Sequence, residues 1–589
     1  MDARVKSAHD DPTMTFAHGG NMTAKEPKLT LAYPKEFFPS PDVPPGVRLE
    51  ESVRVAMRDG IRLAVDIYRP EQDGKYPALL SLAPYSKDIQ RKPPHWSHAI
   101  ESGATAFYVP KGYVHMVAQG RGCGLSEGQW QWFDAKERTD GYDLIEWIAA
   151  QPWCNGNVGM IGDSYFSWSQ YQAAGSQAPH LKCICQCDGT IDLYRDVCYQ
   201  GGIYNAGQFL DNWIPYQQKM SAWPGPVEGK LPPMNLLYEL ACRPYDSPWY
   251  QERSGRAQLE NIKCAVMSIV PQGGHMHARG QLEGFAQINA PKKLMVVPRT
   301  GFWSHLRYLT DRALNRQMLR WFDYWLKGID TGIMDEPEVA IFDTATRQWR
   351  YEDEYPLRRT EWTKFYLREG AISREAPGDE KPDSYRLPDS LAATLAGKPV
   401  LAYATPPFKE DLRVWGPLSL TLFAASDRID TAWHVKLFDL APNAAPFQVS
   451  RGVLKASFRK LDRARSKPGQ PFHPFLEQEL LEPGKVYEFQ IELTPAFHTV
   501  RVGHQLQLTI ASEDIQYSST LRTIDVQLLP WPVTNTVHHD SRHPSHLLLP
   551  VIPDAAEIRP VTPPLSEVNW PFVPATWSPH TDEFPLTGE

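Results

Sequence analysis

The stretch that decides the fold is Val158-Gly-Met-Ile-Gly-Asp-Ser-Tyr-Phe-Ser-Trp-Ser-Gln-Tyr-Gln-Ala-Ala174. It begins as a short apolar run, turns sharply at Gly162-Asp163-Ser164, and continues in a pattern that predicts a helix. A serine at such a strand-turn-helix junction projects out of the sheet, and the first N–H groups of the helix face it. Ser164 is therefore a candidate nucleophile. The alternative is an ordinary connection, because Phe166 stands where the Gly-x-Ser-x-Gly signature has its second glycine.

The composition indicates a soluble globular protein of two or three domains. The chain has 589 residues, of which 42% are hydrophobic and 22% are charged, and its net charge is −8. The negative charge and the lack of a dense Lys/Arg run argue against a nucleic-acid partner. We expect no membrane association, because no stretch approaches the roughly 18 apolar residues of a membrane span. The polar start lacks the apolar region of a secretory signal, which favours a cytoplasmic location, and no motif indicates a cofactor.

The eight cysteines all lie between Cys123 and Cys264. Cys183, Cys185 and Cys187 alternate along an apolar run, which places them on one face of a strand. Neighbours on one face are poorly placed to bond one another, so the pattern does not predict a disulfide framework. Small thiols in a core are favoured over a soft-metal site. Reduced thiols also fit an intracellular protein.

Residues 48–190 and 262–335 predict a mostly parallel, doubly wound sheet with helices on both faces, preceded by an extended, proline-rich arm over 1–47. The alternation on either side of Asp59-Gly60 predicts a β-hairpin with a two-residue turn. A helix capped by Thr139 and ended by Pro152 should follow, and the last helix should cover 311–328. The predicted buried strands are 78–82, 114–118, 158–162, 182–187, 264–270 and 293–297.

Residues 191–261 interrupt these alternating elements. The insertion carries Trp213, Trp223 and Trp249 together with many tyrosines, and it has no strand pattern. We expect a helical cap over the carboxyl end of the sheet, where open α/β sheets bind ligands. A simple packing insert is the alternative.

Residues 336–589 predict an all-β jelly-roll domain. Short alternating strands are separated by Pro, Gly and Asp, which is the pattern of a β-sandwich. Residues 369–412 are rich in Pro, Asp and Glu and are interpreted as a long loop. The predicted strands are centred on Val339/Ile341, Leu418/Leu422, Val435/Leu437, Phe489/Ile491, Leu506/Ile510 and Val526/Leu528.

A serine nucleophile needs a base and an oxyanion hole. His305 follows the strand ending at Val297, the place where this fold carries its histidine. One oxyanion donor should be the backbone N–H of Tyr165, the residue after the nucleophile.

The chain resembles the cocaine esterase/X-Pro dipeptidyl-peptidase/α-amino acid ester hydrolase group of serine hydrolases, also called the CocE/NonD type. The resemblance covers residues 50–553, and it implies an α/β-hydrolase core, a helical cap and a carboxyl-terminal jelly roll. It also implies that Ser164 is the nucleophile, that His305 is the base and that the Tyr85 hydroxyl is the second oxyanion donor. The motifs that carry it are Met57-Arg-Asp-Gly-Ile-Arg-Leu-Ala-Val-Asp-Ile-Tyr-Arg-Pro70, Gly141-Tyr-Asp-Leu-Ile-Glu-Trp-Ile-Ala149, Gln151-Pro-Trp-Cys-Asn-Gly156, Asp192-Leu-Tyr-Arg-Asp196, Arg320-Trp-Phe-Asp-Tyr-Trp-Leu-Lys-Gly328, Leu481-Glu-Pro-Gly-Lys-Val-Tyr487 and His538-His-Asp-Ser-Arg-His-Pro544.

The sequence departs from this group at three places. Ser167 stands where the group has the second glycine of its elbow, and Gln119 replaces an aspartate ahead of Gly-Arg-Gly. Near Gly273, where the resemblance puts the aspartate of the triad, the sequence has no Asp or Glu before Glu283. Losing the orienting acid costs on the order of 10⁴ in kcat, so we expect another carboxylate to take its place.

Asp188, directly after strand 182–187, is the tentative replacement. Glu283 is a weaker candidate, because it should lie a turn or more into a helix. His275 and His277 occupy the vacated loop and are tentative pocket residues, and no third residue suggests a metal site with them.

The leading hypothesis is a serine hydrolase that cleaves an ester or amide bond of a small molecule, with an apolar acyl pocket lined by Phe166, Trp168 and Trp213. One alternative is acyl transfer, cyclisation or C–C cleavage by the same serine. Another is a non-catalytic binding protein that has lost the triad acid. The sequence is compatible with a monomer or a homo-oligomer.

Overall fold

A computed structural model describes residues 43, 45–90, 101–205, 209, 213–272, 276–298, 312–343, 345–346, 348–387, 400–512, 516–518, 523–525 and 532–553. All of these residues lie within the unit Pro41–Glu589. Most of the arm predicted for residues 1–47 falls outside the described residues, and Val47 is already the first residue of a strand.

The six apolar runs predicted as buried strands all form strands. The insertion 191–261, predicted without strands, contains a short two-stranded hairpin over residues 199–204. The strands are β1 (Val47–Ala56), β2 (Arg62–Pro70), β3 (Tyr76–Ala83), β4 (Val114–Gln119), β5 (Cys154–Asp163), β6 (Leu181–Cys187), β7 (Tyr199–Gln200), β8 (Ile203–Tyr204), β9 (Ala265–Pro271), β10 (Lys292–Val297), β11 (Val339–Asp343) and β12 (Gln348–Glu352).

In the described part of the chain, ten of these strands form one sheet in the order β1-β2-β4-β3-β5-β6-β9-β10-β11-β12. The pairs from β4 to β11 are all parallel, and antiparallel strands flank them at both edges. This is the mostly parallel sheet of the predicted α/β-hydrolase core.

Helices cover both faces of the sheet and fill the insertion between β6 and β9. A π-helical turn covers Leu193–Cys198, and 3₁₀ turns cover Val109–Lys111, Gly255–Asn261 and Ala456–Phe458. The helices are α1 (Lys87–Gln90), α2 (Thr105–Tyr108), α3 (Ala135–Ala149), α4 (Tyr165–Gly175), α5 (Ile214–Ala222), α6 (Leu236–Ala241), α7 (Pro248–Arg253), α8 (Ala278–Gln287) and α9 (Arg312–Lys327). Helices α5, α6 and α7 form the predicted helical cap.

Two local predictions need correction. The helix assigned to a Thr139 cap begins earlier, because the Asp134 side chain accepts the backbone N–H groups of Lys136 and Glu137 at 3.1 and 3.0 Å. The predicted hairpin between β1 and β2 is confirmed. Its turn has three residues rather than two, since the N–H of Met57 donates to the carbonyl of Ile61 and Gly60 takes a φ of 87°.

The two faces of the sheet bury different side chains. Leu144 and Ile148 of α3 pack with Met160 on one face. On the other face the three alternating cysteines of β6 pack against Met318 and Phe322 of α9. All eight cysteines lie in the described residues and are free thiols, which confirms that Cys183, Cys185 and Cys187 are core residues.

The remaining strands form the predicted all-β domain. Alternating side chains such as Leu506, Leu508 and Ile510 are fully buried, as the sequence pattern required. The strands are β13 (Glu361–Arg368), β14 (Ala371–Ser373), β15 (Asp383–Leu387), β16 (Val400–Ala404), β17 (Leu412–Ser426), β18 (Ala432–Leu440), β19 (Phe447–Lys455), β20 (Tyr487–Val500), β21 (Gln505–Ala511), β22 (Gln516–Ser518), β23 (Thr523–Asp525), β24 (Val533–His538) and β25 (His546–Val551).

Among the described residues, nine strands of this domain close into a ring, β17-β20-β19-β18-β21-β16-β14-β13-β25, because β25 pairs with both β13 and β17. Strands β24 and β15 extend the sheet from β17. The closure leaves few unpaired strand edges in the ring.

The β domain differs from the prediction in two respects. The strand predicted at Val339 and Ile341 exists, but it pairs in parallel with β10 and therefore belongs to the first sheet. The segment 369–412, interpreted as one long loop, contains β14, β15 and β16. The strand predicted at Val526 and Leu528 lies outside the described residues, and the domain bounds at residues 48, 191, 262 and 336 remain predictions.

The carboxyl ends of three adjacent strands define one place on the first sheet. Ser164 follows β5, Tyr85 lies two residues after β3, and Asp188 follows β6. Because β3, β5 and β6 are parallel neighbours, these three residues emerge at the same edge, beneath the cap. No helix in the described ranges is both long and apolar enough to cross a bilayer.

Candidate active site

Ser164 stands at a sharp turn between β5 and α4. Its backbone has φ 57° and ψ −120°, a strained conformation for a residue that is not glycine. The turn is held because the Ser164 N–H donates to the Cys187 carbonyl at 3.1 Å, and the Ser164 carbonyl accepts the N–H of Trp168 at 2.9 Å. The Ser164 side chain does not cap the helix. Its hydroxyl is therefore available to other groups at the sheet edge.

The residues around the turn explain its unusual sequence. Gly162 has a φ of 153°, and a Cβ atom there would lie 2.2 Å from the Cβ of Phe166. Ser167, which replaces a small glycine of the resembled group, faces Gly189. A Cβ on Gly189 would lie 2.5 Å from the Ser167 hydroxyl oxygen. Ser167, which is larger than glycine, therefore fits on the elbow because the neighbouring connection has a glycine, Gly189, at the point of contact.

Tyr85 lies beside the nucleophile candidate. Its side chain is buried, and its hydroxyl, which interacts with the Ser164 side chain, accepts the indole N–H of Trp213 at 3.2 Å. An indole can only donate, so the Tyr85 oxygen is the acceptor of the hydrogen bond from Trp213. Burial raises the pKa of Tyr85 well above its usual value, which keeps this proton in place.

Tyr165 is the first residue of α4, and its N–H has no acceptor within the helix. Its side chain stacks on Phe133 with ring centroids 4.1 Å apart. The Tyr165 hydroxyl donates to Glu137 at 3.0 Å. Burial raises the pKa of Glu137 to about 8, so this carboxyl group is mostly neutral at pH 7.

Asp188 contacts a histidine, but the described contact is with His277. The Asp188 Oδ2 atom lies 3.0 Å from the His277 Nδ1 atom, and only 9% of each side chain is exposed. Because an ionised carboxylate only accepts hydrogen bonds, the His277 Nδ1 atom is the donor. Asp188 has a φ of 52°, a strained value, and its N–H donates to the carbonyl of Ile269 on β9 at 3.1 Å. The structure thus ties the connection after β6 to the loop after β9.

Three of the predicted positions cannot be located. His305, His275 and Gly273 lie outside the described residues. The role of His305 as the base and the vacated position of the acid near Gly273 therefore remain predictions. Glu283 lies within α8, as expected, and its carboxylate is 2.6 Å from Arg256.

Aromatic side chains surround the elbow. Phe166 and Trp168 are 1% and 5% exposed, and the Trp213 ring stacks on Tyr165 with centroids 6.2 Å apart. The ring of Trp168 lies 5.4 Å from that of His277, so these predicted pocket residues are neighbours.

Sequence reasoning missed other residues of this cluster. Phe133 and Glu137 come from the segment that leads into α3, and both contact Tyr165. A sequence signal existed for Glu137, because Asp134 and Glu137 have the spacing of a capping box, but nothing in the sequence links that segment to the elbow.

Gln119 fills the place of an aspartate in the resembled group. Its side-chain carbonyl accepts the N–H of Leu125 at 3.0 Å. A Cβ on Gly124 would lie 2.2 Å from the Gln119 amide nitrogen, so this loop wraps closely around the side chain. Its amide nitrogen also donates to Ser86 and Asp88 after β3, so the described contacts of Gln119 join the loops after β3 and β4 and do not include Ser164.

Comparisons with known proteins agree with this arrangement. The model of the X-Pro dipeptidyl-peptidase (S15 family) matches residues 59–307, and the model of the X-Pro dipeptidyl-peptidase C-terminal non-catalytic domain matches residues 331–548. Together these matches extend over both sheets.

Relatives named for an enzymatic activity align over most of the chain. A cocaine esterase of Rhodococcus sp. (strain MB1 Bresler) is 27% identical over 85% of this chain and 98% of its own length. An Xaa-Pro dipeptidyl-peptidase of Lactiplantibacillus plantarum is 22% identical over 71% of this chain and 62% of its own.

Solved structures show the same fold. A CocE/NonD family hydrolase of Staphylococcus aureus has a TM-score of 0.77, 24% identity, and coverage of 86% of this chain and 94% of its own. An α-amino acid ester hydrolase has a TM-score of 0.65, 19% identity, and coverage of 86% and 97%. The chain therefore belongs to the X-Pro dipeptidyl-peptidase (S15) family of serine hydrolases, both of whose domain models it matches.

Proposed function

We propose that this protein hydrolyses an ester or amide bond of a small molecule through an acyl-enzyme on Ser164. The observation that carries the proposal is the Ser164 turn, where a strained serine with a non-capping hydroxyl meets the Tyr85 hydroxyl and the start of α4. A nucleophile placed beside two hydrogen-bond donors is what acyl transfer requires.

In the proposed reaction, Ser164 Oγ attacks the carbonyl carbon of the substrate while His305 takes its proton. The carbonyl oxygen becomes an oxyanion between the Tyr85 hydroxyl and the Tyr165 N–H. His305 then gives the proton to the leaving alcohol or amine. In the second half of the reaction, His305 takes a proton from the water that attacks the acyl-enzyme, and Ser164 regains its proton as the acid leaves. All of these residue roles are proposals that rest on the local geometry and on the position of His305 in the sequence.

We propose Asp188 as the carboxylate that orients His305. It emerges from β6, next to β5, and is buried at the edge where Ser164 lies. His277 supports this role, because its Nδ1–H holds one carboxylate oxygen in place at 3.0 Å.

The acyl pocket is proposed to be apolar, since Phe166, Trp168 and Trp213 surround the elbow. Burying an additional phenyl ring of a substrate is worth about 2 kcal/mol, or about a 30-fold change in kcat/KM.

The test compares 4-nitrophenyl acetate with 4-nitrophenyl phenylacetate, whose acyl carbons have similar reactivity. We expect hydrolysis of both esters, a kcat/KM about 30-fold higher for the phenylacetyl ester, and a loss of about 10⁶ in kcat in Ser164→Ala. Release of the phenol without dependence on Ser164 would contradict the proposed nucleophile. Transfer of the acyl group to added alcohols in preference to water would favour an acyltransferase.

Asp188→Asn tests the proposed acid, with Glu283→Gln as the matched control. We expect Asp188→Asn to lower kcat by as much as about 10⁴ while KM changes little. Glu283→Gln should stay within a few-fold of the wild-type rate, because its carboxylate is paired with Arg256. The reverse order of effects would assign the acid to Glu283. His277→Ala should lower kcat less than Asp188→Asn does, whereas His277→Asn should recover part of the loss by restoring an N–H donor to Asp188.

A further inference from the structure

The turn between β24 and β25, residues 539–545, brings together two imidazoles and one carboxylate. His538 ends β24, and Asp540 and His543 follow in the turn. The ligand atoms of these three side chains all lie within 4.8 Å of one another, and the side chains are partly exposed. The proposed hydrolysis does not use this group of residues.

The distances fit a small metal ion. The His543 Nδ1 atom is 3.2 Å from the Asp540 Oδ2 atom. Tetrahedral bonds of about 2.0–2.1 Å place neighbouring ligand atoms about 3.4 Å apart, close to this separation. The rings of His538 and His543 have centroids 5.2 Å apart. A small rotation of His538 would therefore bring its ring nitrogen to the same centre.

Among the described residues, the one hydrogen bond that involves these ligand atoms joins His543 Nδ1 and Asp540 Oδ2, at 3.2 Å. The Asp540 Oδ1 atom accepts the backbone N–H groups of Arg542 and His543 at 2.7 and 3.0 Å, which leaves Oδ2 for the cluster. Across the described residues, no hydrogen bond of the His538 imidazole is found. His539, between the two ligands, is used elsewhere, because its Nε2 atom bonds Asp383 at 2.9 Å.

We propose that His538, Asp540 and His543 bind a divalent transition-metal ion, of which Zn²⁺ is the test case. Two imidazoles and one carboxylate suit Zn²⁺, Co²⁺ and Ni²⁺ rather than Mg²⁺ or Ca²⁺, which prefer all-oxygen ligands. Water completes the coordination, since about 32% of the His543 side chain and 19% of the Asp540 side chain are exposed.

The position of the turn gives the ion a structural consequence. Strand β24 pairs with β15 and β17, and β25 closes the ring of the β domain by pairing with β13 and β17. An ion bound by His538 at the end of β24 and by Asp540 and His543 in the turn would hold the turn in the conformation that leads into β25. It should therefore stabilise the folded β domain, because it binds the native state and not the unfolded chain.

A second group of similar composition provides a matched control. His498 and His504 also flank one aspartate: the His498 Nε2 atom lies 2.8 Å from Asp439 Oδ2, and the His504 Nδ1 atom lies 2.9 and 3.1 Å from its Oδ1 and Oδ2 atoms. Among the described residues, only the His538 group brings all of its ligand atoms within 4.8 Å of one another.

The experiment measures binding of Zn²⁺ and Co²⁺ to the full chain by calorimetry, by metal content after dialysis and by the visible spectrum of bound Co²⁺. We expect one ion per wild-type chain, a visible Co²⁺ spectrum typical of tetrahedral coordination, and a rise of about 2 °C or more in the unfolding temperature with Zn²⁺. His538→Ala removes a direct ligand. It should therefore weaken binding by more than the 10- to 100-fold that is typical when a residue supporting a metal ligand is lost. His504→Ala should leave binding unchanged.

His538→Ala removes no hydrogen bond of the turn, so it separates metal binding from folding. The Nδ1–H of His543 could otherwise simply donate to Asp540 within an ordinary turn. A wild-type chain that takes up no Zn²⁺ at micromolar concentration would overturn the proposal. Equal binding by wild type and His538→Ala would also overturn it, because the ion would then bind elsewhere.

Discussion

Tyr85→Phe is the substitution that probes the oxyanion hole most selectively. It removes one oxygen atom and keeps the ring that packs against Tyr165 and Phe166, with centroids 5.9 and 5.7 Å away. In the wild type, Trp213 donates to the Tyr85 oxygen, and in the proposed mechanism the Tyr85 proton donates to the oxyanion. Removing one such donor typically costs about 10²–10³ in kcat, or about 3–4 kcal/mol of transition-state stabilisation.

The assay is steady-state hydrolysis of a 4-nitrophenyl ester, with the unfolding temperature measured in parallel. We expect kcat to fall by about 10²–10³ with little change in KM, because the hydroxyl acts on charge that develops only in the transition state. The variant should lose about 1–3 kcal/mol of stability, since the buried Trp213 N–H loses its acceptor. Trp213→Phe is the control, because it keeps the Tyr85 hydroxyl and should lower kcat less. A Tyr85→Phe enzyme within threefold of the wild-type kcat would refute the reasoning.

Two further predictions concern stability. Burial raises the pKa of Glu137 from 4.5 to about 8, so the folded state holds a proton that the unfolded chain loses, and stability should fall as the pH rises from about 4.5 to about 8. Glu137→Gln should remove this pH dependence. In denaturant unfolding, the variant should be more stable than wild type by roughly 3 kcal/mol at pH 7 and equally stable near pH 4. A stability difference that is constant with pH would contradict this. Gly162→Ala should lower the free energy of unfolding by about 2 kcal/mol or more, because its Cβ would lie 2.2 Å from the Phe166 Cβ. Gly156→Ala is the control, since Gly156 also has a positive φ but no atom within 4 Å of its Cβ, and it should cost about 1 kcal/mol. Equal losses would show that the close approach at the elbow costs nothing.

The general architecture could be predicted from the sequence because its signals are local. Buried parallel strands appear as short apolar runs, and strands of the β domain appear as alternation, so both sheets were predicted. The elbow was predicted for the same reason, since strand, turn and helix are contiguous around Ser164.

Features that depend on pairing between distant segments could not be predicted in this way. Strand β11 looks like the alternating strands that follow it, and only its parallel pairing with β10 assigns it to the first sheet. The contact between Asp188 and His277 joins residues far apart in the chain, and it depends on a left-handed backbone at Asp188 that sequence patterns do not encode.

Some errors came from choosing between local signals. Thr139 and Asp134 are both able to cap a helix, and the structure uses Asp134, which has Glu137 three residues later. The polar composition of 369–412 concealed three short strands, because most of their side chains do not alternate cleanly between buried and exposed.

The central claim is that Ser164 is the nucleophile, and its most direct test is the intact mass of the protein after treatment with a fluorophosphonate. We expect one phosphonyl group per chain, located on Ser164 by peptide mapping, with no adduct on Ser164→Ala and slower labelling of Tyr85→Phe. A wild-type chain that stays unlabelled, or an adduct on a different residue, would contradict the account.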